Sequence, residues 1–560
     1  MKVLRCQSIA PQKPANGQSV DRSNNASYEL VRTMTDRYDV IVVGAGIGGL
    51  CAAIDLAALG RRVLICERGS EVGGKMRRVE VGNRLVDSGP TVLTMRDVFD
   101  GLFLRAGASL DERLRLQPLN VLARHAWTDG SRLDLYADLE RSASAIEQMA
   151  GSREADGFRR FSAHAQGIYE AVEEPFIRSD GSRLSKMVKN MGLAGLRALT
   201  TIDWHRTMWK SLRSFFRDPR LLQLFGRYAT YSGSSPFEAP GTLNLIAHVE
   251  QRGVWAIEGG MSKLADALAE LFVELGGEFA LDSHVDEVSV TNHRADGVRL
   301  AGGTVLRADA VVVNANARAV VSGLLGADIR RAVPPVRAPK SSSALAWSVV
   351  GRVRDFPLAY HNVVFSSDYR HEFKQLGRGQ IPEEPTVYVC AQDVDPTIDS
   401  HEFHDEEQRL FCLVNAPARG GDETFNPDFS RCRLRIFQQM SRCGLTIEAE
   451  PSKIVCTTPH EFDRRFPGSG GALYGTATHG LMGAFARPGV DTKIPGLYLV
   501  GGGVHPGAGV PMVALGGRVA AHSVHSDLAS TSTFRPVATP GGTSTASAPM
   551  GAKPSPSLPS

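Results

Sequence analysis

The stretch that most constrains this chain lies near its start, Asp39-Val-Ile-Val-Val-Gly44-Ala-Gly46-Ile47-Gly48-Gly49-Leu50. Val40 to Val43 form a short, unbroken β-branched run, the composition of a strand buried on both faces of a parallel sheet. Glycines follow at once, and the Ala/Leu-rich segment Leu50 to Leu59 predicts a helix. A strand, a G-x-G-x-x-G turn and a helix in that order make a dinucleotide-binding fingerprint. Gly44 permits the tight turn, Gly46 lets the backbone approach a pyrophosphate, and Gly49 lets helix and strand pack closely. Ile47 and Gly48 complete the loop, and the diphosphate would rest on the free N–H groups of the helix start.

Further features give this turn its context. A second buried strand, Val63-Leu-Ile-Cys66, ends in Glu67, 23 residues after Gly44 and near the spacing of an acid that bonds a ribose hydroxyl. Arg68 follows directly, then the pair Gly73-Gly74 with Lys75 and Met76, then the slim turn Asp87-Ser-Gly89-Pro90-Thr91. Two such backbone approaches so soon after Glu67 suit an FAD-binding flavoenzyme better than an NAD dehydrogenase, which continues with regular βα units. Near the other end, Val500-Gly-Gly502-Gly503-Val-His505-Pro-Gly507-Ala-Gly509 leads into a helix running through Ala521. Its start at Pro511, Met512 and Val513 would be free to face the N1/C2 carbonyl edge of a flavin.

With 560 residues the chain can hold two or three domains. A net charge of +3 excludes a global pull toward nucleic acid, so any basic patch is local. The eight cysteines include no C-x-x-C pair, which argues against a disulfide framework or a zinc site, and no metal cluster stands out. No apolar run reaches the roughly 18–20 residues that span a bilayer. Residues 1–36 and 529–560 read as disordered tails, and Met34 is an alternative start of translation.

Residues 97–150 read as helical and mixed. Between Arg183 and Arg220 there are nine Lys/Arg and two acids, interleaved with Met187, Trp204, Met208, Trp209, Leu212, Phe215 and Phe216. That pattern suits a segment lying in a membrane interface; a core-facing helix with a solvated basic face fits it equally. Strands are predicted at 284–290, 297–300 and 310–315, and again at 344–350, 386–391 and 409–414, the last three within a mixed-sheet region.

With these motifs placed, the chain resembles the FAD-dependent carotenoid desaturases related to bacterial phytoene desaturase, over about residues 38–525. The likeness rests on Val42–Gly49, Gly73–Lys75, Asp87–Thr91, Gly253-Val-Trp255 with Gly259-Gly-Met261, and Val500–Gly507. Thr91–Arg96, Leu122–Trp127, Phe225–Tyr231 and Val387–Gln392 are most similar to the 1-hydroxycarotenoid 3,4-desaturases, also called methoxyneurosporene dehydrogenases. Val504 departs from the family, where Thr is frequent.

The resemblance implies an α/β fold: a Rossmann-type FAD-binding domain of the amine oxidase/phytoene desaturase kind, with an inserted mixed α+β substrate domain. It would divide into 37–110, 251–330 and 456–528 for FAD, and 111–250 and 331–455 for substrate and membrane. Val285 and Asn314 join the cofactor contacts named above. The implied substrate is an acyclic carotenoid with a tertiary hydroxyl at C1. Hydride loss from C4, allylic to the polyene, and proton loss from C3 would create the C3,4 double bond. The flavin would be reoxidised by oxygen or a quinone. The protein would be cytoplasmic, peripherally bound to the inner or photosynthetic membrane.

Glu250 and His248 are candidate proton acceptors, although hydrogen-bonded core residues account for them as well. Tyr228, Tyr231, Phe237 and Trp255 are candidate tunnel liners, and His505 is expected to shape its loop or touch FAD. Rival readings are a phytoene desaturase or carotenoid isomerase, a flavin amine oxidase, and a non-catalytic carotenoid carrier. Covalent flavin attachment through a C-terminal cysteine is disfavoured, because the last cysteine, Cys456, precedes the Gly501–Gly503 turn.

Overall fold

Two eight-stranded sheets, two small two-stranded ones and the helices around them make up the computed structural model, which describes residues 2–4, 37–180, 202–399, 403, 405–480 and 483–532. The first sheet is built on Arg37–Val43, flanked in parallel by Val63–Cys66 and Val305–Val313. Glu278–Leu281 extends it in parallel beyond Val63–Cys66, and Lys2–Leu4 adds an antiparallel edge. The rest of the expected N-terminal tail lies outside the described residues.

Val305–Val313 does two jobs. Its first half pairs antiparallel with Arg294–Leu300, which pairs with Val285–Thr291; its last residues pair in parallel with Leu497–Leu499. Val40, Ile41 and Val42 are fully buried, as the β-branched run requires. Helix Ile47–Ala58 is buried along nearly its whole length because Val510–Ser532 and Ser262–Glu274 pack against it. The C-terminal helix therefore continues to Ser532, past the expected end at Ala521 and into the expected tail.

The second sheet runs in the order Thr446–Glu448, Ser343–Arg354, Gln408–Ala416, Val387–Ala391, His361–Val364, Val121–Ala126, Arg132–Tyr136. All its neighbours are antiparallel except His361–Val364 with Val121–Ala126. Strand Ile454–Thr457 pairs with Ser343–Arg354, so this sheet continues across the boundary placed at 456. The region 97–150 departs from its helical reading: helix Arg96–Arg105 is followed by strands Leu116–Pro118, Val121–Ala126 and Arg132–Tyr136 before helix Leu139–Ala150.

Of the basic, aromatic stretch, residues 183–201 lie outside the described residues. In the remainder, helix Met208–Leu212 turns Met208 and Leu212 into the core, and Phe216 stacks on Phe225 at 4.9 Å. Each such buried side chain stabilises the fold by about 1.5–3 kcal/mol. Lys210, Arg213 and Arg217 face outward. The core-facing reading therefore describes this half of the segment.

Candidate active site

The helix Ile47–Ala58 begins immediately after the Gly44–Gly46 turn. Its N-cap, Gly46, offers no side chain, and its first turn holds no acid, so nothing from the protein's side chains claims the positive helix end. The loop is wrapped tightly on itself. A Cβ on Gly49 would stand 2.3 Å from the Gly44 carbonyl oxygen, and one on Gly46 would stand 2.6 Å from Asn314 Oδ1. Asn314 ties this loop to the chain's other end: its backbone N–H donates to the Val43 carbonyl at 2.8 Å and its Nδ2 to the Val500 carbonyl at 3.2 Å.

Glu67 sits half-buried at the end of its strand. Oε2 accepts from the Ala45 N–H at 2.8 Å and Oε1 from the Gly69 N–H at 2.9 Å. The Ser283 N–H donates to the Glu67 carbonyl at 2.8 Å, which sets the strand beginning at Val285 beside it. Arg68 turns away, donating to the carbonyls of Arg464 (2.8 Å) and Arg465 at the end of helix Pro459–Arg465.

Gly73 docks on the first loop through its N–H to the Ala45 carbonyl, 2.8 Å. Met76 is buried. Lys75 donates to the Leu473 carbonyl and lies 5.4 Å from the Phe466 ring centre; burial pulls its ammonium down to about 8. The Asp87–Thr91 turn is pinned by helix Ser262–Glu274 on one side and by the second sheet on the other. Asp87 Oδ2 accepts from the Ser262 N–H at 3.2 Å, and the Gln392 amide bonds both backbone groups of Asp87, at 3.0 and 2.8 Å. Gly89 passes so close to Lys75 that a Cβ would meet its carbonyl oxygen at 2.1 Å.

Beyond this turn opens a cavity of about 390 Å³. Gly89, Pro90 and Thr91 line one side, with Gly507, Gly509, Pro511 and Met512 at the start of the C-terminal helix; Val172, Ile202, Leu243, Val249, Phe411 and Phe485 are among its apolar wall. Glu250 is the sole acid among the described residues of this wall, and Arg227 and Arg487 are its cations.

Helix Leu245–Gln251 presents Glu250 to the cavity, where Tyr228 donates to Oε2 at 2.6 Å and Tyr231 to Oε1. Arg227 lies 5.9 and 5.4 Å from the centres of the two tyrosine rings. Burial raises both phenols well above their usual range, and the Glu250 carboxylate adds to this. Burial works against the Arg227 charge, but Tyr231 and Glu250 outweigh it and hold the guanidinium protonated.

Of the tunnel candidates, Tyr231 lines the cavity and Tyr228 stands behind Glu250. Phe237 lies off the wall, 4.6 Å from Trp209 and 5.9 Å from Phe373. Trp255 also lies off it, in strand Trp255–Ile257, donating its backbone N–H to the Leu93 carbonyl at 2.9 Å. His248 falls on the far side of its helix, 5.2 Å from the Tyr169 ring, and does not reach the cavity. Burial, then Arg252, lowers its pKa. His505 shapes its loop: the ring nitrogen Nε2 meets the Ser179 carbonyl at 3.0 Å and the ring packs 4.7 Å from Phe176. Gly502 and Gly503 run past Gly475, Val504 is buried in the core, and Val513 begins the first helical bonds by donating to the Gly509 carbonyl at 2.9 Å.

Sequence reasoning missed several wall residues. Arg487 donates to Thr478 Oγ1 at 3.2 Å and to the Thr476 carbonyl at 3.0 Å, while its Nε has no partner. Burial lowers it to about 10. Nothing local marked it. Arg227 and Tyr388 were equally unforeseen, although they lie inside the stretches Phe225–Tyr231 and Val387–Gln392, and so was His361, which stands behind Tyr388 at 2.7 Å.

The flavin containing amine oxidoreductase family model matches residues 47–525. The chain belongs to that family, among its carotenoid desaturases. A hydroxyneurosporene desaturase of Rubrivivax gelatinosus is 49% identical over 91% of this chain and 98% of its own. One of Cereibacter sphaeroides is 44% identical over 88% and 98%. A putrescine oxidase variant of solved structure shares the fold, with a TM-score of 0.57, 12% identity, and coverage of 88% of this chain and 99% of its own. This desaturase-family chain is thus an FAD-dependent oxidoreductase. Its uncapped helix start, the half-buried Glu67 and the cavity reaching the second helix start fit the diphosphate, ribose and ring portions of FAD. Cys456 offers no covalent anchor there: it lies off the cavity and burial pushes its thiol up to about 12. Among the described residues no helix is long and apolar enough to cross a membrane.

Proposed function

We propose that this enzyme introduces the C3,4 double bond into acyclic 1-hydroxy or 1-methoxy carotenoids such as 1-hydroxyneurosporene, in carotenoid biosynthesis. The observation that carries the reading is the cavity itself. It starts between the two cofactor turns, is walled mainly by apolar side chains, and among the described residues holds a single carboxylate. A long hydrocarbon offers almost nothing else to bind. The names of the relatives support the substrate class.

Gly44, Gly46, Ile47, Gly48 and Gly49 would hold the diphosphate, Glu67 and Val285 the adenosine end, and Gly74, Lys75, Met76, Gly89, Pro90 and Thr91 the middle and ring. Asn314, Gly502, Gly503, Pro511, Met512 and Val513 would close the ring side. Bound FAD supplies the hydride acceptor. The apolar wall aligns the chain and excludes water. Glu250, oriented by two tyrosine hydroxyls, would favour positive charge developing on the polyene and accept the C3 proton at a carboxylate oxygen. The substrate's residence in a bilayer supports peripheral attachment to the membrane, with oxygen or a quinone as final acceptor.

The test is incubation of the FAD-loaded protein with 1-hydroxyneurosporene, neurosporene and phytoene. The expected product is two hydrogens lighter, absorbs at longer wavelength, and arises from the hydroxylated substrate. Conversion of phytoene instead would replace this reading by that of a phytoene desaturase.

A further inference from the structure

Three of the stretches noted in the sequence meet on one side of the cavity. Strand Val121–Ala126 pairs with His361–Val364, which pairs with Val387–Ala391, and the Thr91 turn lies against them. At their junction is an unbroken hydrogen-bonded chain. Thr91 Oγ1 and Tyr388 Oη are 2.6 Å apart, and Tyr388 Oη is 2.7 Å from His361 Nδ1. Thr91 and Tyr388 line the cavity. His361 is 3% exposed, and its Nε2 has no partner.

A buried polar chain with one orphaned atom is costly in a wall meant for hydrocarbon. His361 itself does not line the cavity, so a polar ligand atom would pair with the remaining hydroxyl valences of Thr91 and Tyr388, which do. The chain can be polarised either way. If His361 Nδ1 accepts, Tyr388 donates to it, Thr91 donates to Tyr388, and the free lone pairs of Thr91 and Tyr388 can accept from a hydroxyl. If Nδ1–H donates, Tyr388 donates to Thr91, and the Thr91 hydroxyl is free to donate into the cavity. Such a wall suits an alcohol oxygen, which both donates and accepts.

Position narrows the ligand further. Thr91 follows Gly89 and Pro90 in the turn that lines the cavity's cofactor side. In a 1-hydroxycarotenoid the oxygen is separated from C4 by three carbon–carbon bonds. A molecule that brings C3 and C4 to the cofactor must leave its oxygen close by. We propose that the Thr91–Tyr388–His361 chain is the recognition element for the substrate's terminal oxygen, and that Tyr388 is a positioning residue setting the preference for hydroxylated over plain acyclic carotenoids. This rests on the substrate reading above. Glu250 is less suited to the task, because each of its oxygens already takes a tyrosine hydroxyl.

The experiment uses the FAD-loaded full chain with 1-hydroxyneurosporene and neurosporene. For wild type, Tyr388→Phe, Thr91→Val and Thr91→Ser, it measures the ratio of kcat/KM for the two substrates. It also measures the ratio of their dissociation constants on the reduced enzyme, read from the carotenoid absorption shift. The expected result is a ratio about tenfold lower in Tyr388→Phe and Thr91→Val, carried in KM and in binding, with Thr91→Ser near wild type. Flavin absorbance reports that the site is intact. Equal losses on both substrates, or a ratio unchanged in both Tyr388→Phe and Thr91→Val, overturn the proposal. A wild type without preference for the hydroxylated chain sinks the substrate reading itself, and the proposal with it.

Discussion

The glycine loop at Gly44–Gly49 and the cavity wall around Glu250 are built on opposite principles. The loop is a backbone object. Its shape follows from missing side chains and from one asparagine inserted beneath it. The wall is a side-chain object. Arg227, Tyr231 and Glu250 come from one stretch, Tyr388 (with His361 behind it) from another, Arg487 from a third, and none is adjacent to the Thr91 turn in sequence. A cofactor shared by a large family asks for a repeated backbone shape. A particular substrate asks for a local set of side chains, which can change while the loop stays.

The contrast breaks most sharply at Gly49. A methyl group there must push the helix start away from the Gly44 carbonyl. Gly49→Ala should therefore be isolated almost free of flavin, with activity lost in proportion; a full flavin content would show that the loop yields more easily than its packing implies. At the wall, Glu250→Gln keeps the shape and the tyrosine partners but removes the charge. We expect turnover to fall about 100–1000-fold while flavin content stays full. Unchanged turnover would move the proton acceptor elsewhere.

The same contrast explains what could be read before the structure. Val40–Val43, Glu67 and the glycine turns were legible because backbone needs leave residue types behind. Strand Val121–Ala126 was not. Arg124 and His125 break its apolar pattern, yet both are buried: Arg124 forms a two-pronged ion pair with Asp134 on the next strand at 2.8 and 2.7 Å, and His125 Nδ1 meets the Leu133 carbonyl at 3.1 Å. Such partners lie across the sheet and leave no local mark. Phe237 and Trp255 were chosen as liners for being aromatic, but aromaticity carries no direction. The period of helix Leu245–Gln251 could have separated His248 from Glu250, since Ile246, Val249 and Glu250 share the cavity face.

Acid should distinguish the halves more gently. His125 and His361, both in the second sheet, are held down to about 3, by burial first and then by Arg227. In the unfolded chain they titrate near 6.5. The unfolded state thus binds protons first as pH falls. The stability these neutral rings contribute is full above about pH 6.5 and is lost progressively toward pH 3. Between about pH 7.5 and pH 5 the melting temperature should drop by about 5 °C. A flat profile in calorimetry would mean that both rings gain a proton without leaving the fold, and half the drop that one of them does.

The smallest effect concerns the outer surface beyond the wall. Ile202 and Trp204 line the cavity, so the described start of the basic stretch borders the substrate's space. From there Met208, Leu212 and Phe216 point inward, and Lys210 and Arg213 point to solvent. If the face from Met208 to Arg217 meets a membrane, it does so mainly by charge, with about 1 kcal/mol per basic group, beside the exposed Trp204. Reversing both charges, Lys210→Glu with Arg213→Glu, should then weaken co-sedimentation with anionic vesicles at least tenfold and flatten its salt dependence, while neutral vesicles bind neither protein differently. Unchanged co-sedimentation would remove these two residues from membrane contact and leave Lys186 and Lys189, outside the described residues, as the next pair to reverse.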